Sequence, residues 1–397
     1  MKIKKVFAIL FAMVLSQCGA ALADTVTVVV GNGQVYTRNE FDMSGTGQVS
    51  AYNYGKSIYS ADGNPITGEI VLGFGDGTAA VSKYNALGTI ITSGMVADSS
   101  HGGGHGILGA AIRPNGDIYF GSYSGWVYAR SRKNVTVAPA GYGGSGSVQF
   151  SSSGSRYMYL APSPLDEIMI VSNDWGKLFI RQGNNMSATP IGYQGDGMEL
   201  AASVTARLTL STGDVVFAST AGNPSVYLFV RDNEDLSIAP AGYVDHAIMG
   251  TGVSIRALAR TANDLLVVGN LSGEVILVDA HNVGVQLGYT VLPNAIYALA
   301  ITSNNNVVIG LNDGRVFVRS LSDINGDDIT VPMNFGAAIV KIAAINPDDV
   351  WVCEDIVANG QAMAGDLNGD CYVNFEDFAM FALDWAKCDD PQNENCQ

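Results

Sequence analysis

Six oxygen donors stand near the C-terminus at the spacing a hard cation needs. Asp366, Asn368 and Asp370 occupy positions 1, 3 and 5 of a twelve-residue loop. Tyr372 offers its backbone carbonyl at position 7, Asn374 stands at 9, and Asp377 closes position 12. Alternate side chains in such a loop converge while the chain wraps around them, and an all-oxygen donor set selects calcium. Val373 at position 8 is the apolar residue such loops bury. Phe375–Lys387 then continues as a helix, with Phe378, Phe381, Ala382 and Trp385 on one face.

Two other groups of residues could do chemistry. His101 and His105 sit four apart on a glycine loop, where two imidazoles could share a metal or touch a ligand, although no third metal ligand is evident nearby. Arg256, Tyr297 and Lys341 fall at equivalent places in three similar segments and could together line a pocket for an anionic or sugar ligand. The chain shows no Gly-x-Ser-x-Gly elbow, no phosphate loop and no nucleophile–base set, so no catalytic residue is assigned.

The elements that must position these residues repeat along the chain. Asn304–Ser320 is the clearest unit: an apolar run at Val307–Ile309, turn residues from Gly310 to Gly314, a second run at Val316–Val318, and Arg319 ending the strand in solvent. Similar hairpins stand at Val28–Arg38, Ile70–Lys83, Ile118–Arg130, Ile168–Arg181, Val215–Arg231 and Leu266–Asp279. A Gly-Tyr marker keeps step with them at Tyr142, Tyr193, Tyr243 and Tyr289. An alanine-rich run precedes the hairpin at Ile107, Ile255, Ile296 and Val340. Three features recurring in one order every ~40–50 residues mark a repeat protein.

Each unit holds three or four short strands and no convincing amphipathic helix, so the fold class is all-β. Units of this kind resemble the blades of a β-propeller, and that resemblance covers residues 24–357. A lone blade cannot bury both faces, whereas blades stacked around an axis can. Counting hairpins gives seven blades, with eight as the alternative. The C-terminal strands Val340–Ile345 and Val350–Cys353 are expected to complete a blade begun by Thr25–Val30 and Gln34–Arg38.

Composition sets the context. The formal net charge of −16 disfavours nucleic acid and anionic membranes as partners. Lys2, Lys4 and Lys5, the apolar Val6–Leu15 and the Ala21-Leu22-Ala23 cleavage site make residues 1–23 a signal peptide, which implies a secreted or cell-surface protein. No later stretch is long and apolar enough for a membrane span. Cys353, Cys371, Cys388 and Cys396 cluster in the last 45 residues, as expected of disulfides in an exported chain. Three pairings are open, with Cys371–Cys388 the first choice.

Residues 358–364 form a small polar linker, and residues 365–397 a separate module. Its Asp-x-Asn-Gly-Asp-x-x-Val-Asn-x-x-Asp pattern resembles a type I dockerin repeat, the calcium-binding module that attaches extracellular enzymes to cohesin scaffolds. The resemblance implies calcium as cofactor and a cohesin-like or cell-surface protein as partner. One such loop is present where dockerins carry two. Cys371 replaces the usual glycine at position 6, and Phe375 and Glu376 replace the small hydroxyl residues used for cohesin contact. Together these observations predict a monomeric, non-catalytic recognition or scaffolding propeller, tethered by its calcium module and binding polysaccharide or protein. The alternative is a glycoside hydrolase or polysaccharide lyase recruited by the same tail.

Overall fold

The computed structural model describes residues 24–46, 50–64, 67–96, 106–113, 116–144, 146–150, 158–165, 167–172, 176–193, 197–199, 203–220, 225–251, 253–345 and 378–379. The chain divides into two units, Met1–Pro347 and Asp348–Gln397. In the second, Phe378 and Ala379 are described and are helical.

Every predicted hairpin is present, and each supplies the second and third strands of a four-stranded antiparallel sheet. Seven such sheets make seven blades. Their inner strands are Ile339–Ile345 (blade 1), Ile58–Asn64 (blade 2), Ile107–Ile112 (blade 3), Met158–Pro162 (blade 4), Val204–Thr209 (blade 5), Ile255–Arg260 (blade 6) and Ile296–Ile301 (blade 7). The alanine-rich marker seen in the sequence is therefore the inner strand. Each inner strand packs against the next around the ring, and blade 7 meets blade 1 through Ile296–Ile301 and Ile339–Ile345.

Blade 1 closes the ring. Ile339–Ile345 pairs antiparallel with Thr25–Val30, in a register running from Thr25 opposite Ile345 to Val30 opposite Ile339. Gln34–Asn39 and Ser50–Asn53 fill the other two places in that sheet. A single C-terminal strand thus completes the blade; Val350–Cys353, expected as a second, lies outside the described residues. Buried Asp24 adds a polar latch, since its carboxylate accepts from Ser303 N at 2.7 Å and Ser303 Oγ at 2.5 Å in blade 7. Fully buried Glu40 accepts from Asp24 N at 3.0 Å, from Asn306 Nδ2 at 2.9 Å and from Asn304 Nδ2.

The core lies between blades, as the stacking argument requires. Val26, Val28 and Val30 of blade 1 pack with Ala298, Val308, Val316 and Val318 of blade 7. Ala206, Val216 and Leu228 of blade 5 pack with Ile255, Leu266 and Val268 of blade 6.

Two local expectations are corrected. Gly310 is not a turn residue but lies in the strand Asn306–Leu311; an added Cβ there would stand 2.6 Å from Ile339 Cγ2 of blade 1. Close approach between blades fixes that glycine, while Gly314, at φ 91°, makes the turn. Arg319 does not end in solvent either. Its side chain is mostly covered, pairing with Asp328 at 2.8 Å and donating to Thr290 Oγ1 and the Ile324 carbonyl. The equivalent Arg38, Arg181 and Arg231 are buried, each with its guanidinium about 5 Å from the ring centroid of Tyr36, Phe179 or Phe229 two residues earlier.

Candidate functional site

The inner strands start in a shared pattern. Six open with an aliphatic residue paired to the second strand, then an unpaired bulged residue, then a return to register. A bulge bends its strand and re-aims the extra side chain. The bulged residues are Tyr59, Leu108, Thr205, Arg256, Tyr297 and Val340. All six line one cavity of about 980 Å³, the central channel of the ring.

Arg256 and Tyr297 thus occupy equivalent positions, as the sequence predicts, but Lys341 does not. Val340 holds the bulge in blade 1, and Lys341 follows it, back in register opposite Val29. Lys341 still lines the same cavity, so the structure brings the three together around one channel. His101, His105 and the loop residues Asp366, Asn368, Asp370, Tyr372, Asn374 and Asp377 lie outside the described residues.

The charge of the channel opposes that of the whole chain. Its described lining carries Arg207, Arg256, Arg260 and Lys341 against one carboxylate, Asp62. Asp62 Oδ1 lies 3.2 Å from Lys341 Nζ, and Asp62 Oδ2 accepts from Ile112 N at 3.1 Å. Arg260 is committed at the other end of its strand, donating to the Thr209 carbonyl at 2.7 Å and pairing with Asp264 at 3.3 Å. Arg207 donates to the Leu160 carbonyl at 3.3 Å, and its guanidinium sits 4.4 Å from the Tyr159 ring centroid.

The surface of Arg207 is partly open to the channel, yet protein surrounds it. That desolvation pulls its guanidinium down to about 10, against the opposing pull of Tyr159 and Asp62, so it remains charged at neutral pH. Arg256 is exposed and has no hydrogen-bond or ion-pair partner among the described residues. Tyr59 and Tyr297, 51% and 37% exposed, add aromatic surface beside these cations.

Asp62, Tyr159 and Arg207 were not legible as site residues. They stand on the inner strands of blades 2, 4 and 5, which lack the alanine-rich marker: IYSADGN, MYLAP and VTARLT. The available signal was positional, because a strand must precede the hairpins at Ile70, Ile168 and Val215 just as one precedes the others.

Fold and site together define a closed seven-bladed β-propeller with a cationic, tyrosine-bearing channel. No protein-family model and no curated protein sequence matches the chain. Solved structures do. The WD40 β-propeller domain of Doa1 aligns with a TM-score of 0.51 at 14% identity, covering 74% of this chain and 88% of that one. The WD40 repeats of RRP9 align at 0.51 and 15% identity, covering 73% and 84%. Chaetomium thermophilum Raptor aligns at 0.53 and 12% identity, covering 80% of this chain and 26% of that one. At such identities the likeness establishes the propeller fold. No helix among the described residues is long and apolar enough to cross a membrane.

Proposed function

We propose that this protein is a secreted recognition propeller that takes a ligand in its central channel and is held in an extracellular assembly by its C-terminal calcium module. The observation that carries this reading is the channel itself: cations and tyrosines from separate blades face one cavity at the upper end of the volume range of small-ligand sites. Hydrolysis of a glycan uses two carboxyl groups facing one another. The described lining offers Asp62 alone, already engaged by Lys341 and Ile112 N, which favours binding over cleavage.

The tail is argued from its donor set. Asp366, Asn368, Asp370, Asn374 and Asp377, with the Tyr372 carbonyl, are all oxygen donors, the chemistry that suits calcium. They would order the loop ahead of the helix and present it to a cohesin-like or cell-surface partner. A glycan array probed with the mature protein, with and without calcium, tests the reading. Binding without release of product is expected, and turnover of any hit would move the protein to the carbohydrate-active alternative. A companion measurement is limited proteolysis: chelation should expose the segment after residue 364 to cleavage while the propeller survives, and an unchanged digest would count against the metal.

A further inference from the structure

From the channel's charges we infer that its ligand is an acidic oligosaccharide, a short uronate chain whose carboxylates pair with Arg207, Arg256 and Lys341. This rests on the recognition reading above and narrows it to one ligand chemistry. Three observations converge. First, with Arg260 paired to Asp264, the described lining still carries Arg207, Arg256 and Lys341 against one carboxylate, inside a chain whose formal net charge is −16. Such an excess is costly to gather in a confined space unless something anionic joins it.

Second, Asp62 already occupies part of the site as a ligand carboxylate would. It pairs with Lys341 from the closing strand and raises the affinity of Arg207 for its proton from across the ring. One carboxylate shared by two cations leaves charge unmatched, and exposed Arg256 adds an arm with no partner among the described residues. Third, Tyr59 and Tyr297 supply flat apolar faces with hydroxyl edges in the same cavity. That combination suits a pyranose ring, which has apolar C–H faces and a polar rim; a plain anion or an acidic peptide makes less use of it. A net charge of −16 would disfavour a long polyanion, so the chain that fits is short.

Calorimetry on the full mature chain tests this in calcium-free buffer, so that calcium bridging between carboxylates plays no part. The probes are a short oligogalacturonate, a neutral galacto-oligosaccharide of equal length and an oligoglutamate of equal charge. The oligogalacturonate should bind, and binding should weaken as salt rises. Arg256→Gln should weaken it about tenfold, the loss of one charge-assisted pair. Asp62→Asn should tighten it several-fold, because the internal competitor loses its charge while Asn can still accept from Ile112 N.

A purely structural role for Asp62 predicts the opposite sign, so weaker binding by Asp62→Asn with an unchanged melting transition would overturn the proposal. Equal binding of the neutral sugar would overturn the acidic class and leave the recognition reading standing. Equal binding of the oligoglutamate would overturn the carbohydrate assignment. Silence from every probe, together with a blank glycan array, would sink both.

Discussion

Single residues in this protein are most informative where charge is buried. Glu40 is fully covered and serves three donors from two blades. A glutamine in its place keeps the shape but turns an NH2 toward at least one of those donors. Glu40→Gln should therefore cost about 1.5–3 kcal/mol of stability, read as a lower urea midpoint with an unchanged slope. No loss would mean that the latch on Asn304 and Asn306 contributes nothing. The arginines ending the third strands teach a related lesson. Charge alone placed Arg319 in solvent. Arg38, Arg181 and Arg231 instead lie over Tyr36, Phe179 and Phe229 and donate to the adjacent carbonyls of Thr37, Ile180 and Val230. A guanidinium is flat and weakly hydrated, so it can cover a ring and satisfy backbone oxygens together.

At the scale of elements, packing between blades decides which small residues are replaceable. Gly310 faces Ile339, Gly269 faces Ile296 and Gly121 faces Met158, each the first residue of the next inner strand. Gly310→Ala should cost about 1–3 kcal/mol, because Ile339 must move to admit the methyl group. Gly121→Ala should cost more, since its methyl would meet the Met158 backbone carbonyl and not a yielding side chain. Thermal melts of the two variants check both the losses and their order. The hairpins were legible because alternating apolar runs and turn residues are local signals. The inner strands were legible only where alanine recurred. Blades 2 and 4 replace one of those alanines with Asp62 and Tyr159, and blade 5 sets Arg207 where Leu258 and Leu299 stand in blades 6 and 7, so the residues that give the channel its character also hid their strands. The one-residue error at Lys341 has a similar cause: a bulge is a register event, and a sequence alignment cannot see which residue goes unpaired.

At the scale of the whole molecule, seven blades form one body because the last inner strand belongs to the first sheet. A chain ending at Ala338 lacks that strand, leaves Val26 and Val28 without cover from Ile339 and Ile342, and removes Lys341 from the channel. It should lose the cooperative melting transition, whereas a chain ending at Pro347 should keep it; calorimetric scans of both distinguish them. Closure has a mechanical corollary. The polypeptide beyond Ile345 leaves directly from the strand that holds the circle shut. Tension applied to an anchored tail would enter the body through the rungs joining Ile339–Ile345 to Thr25–Val30, loading the clasp before the other six blades. Under the proposed tethering, a pull strong enough to part those rungs would open the ring and let go of whatever the channel holds.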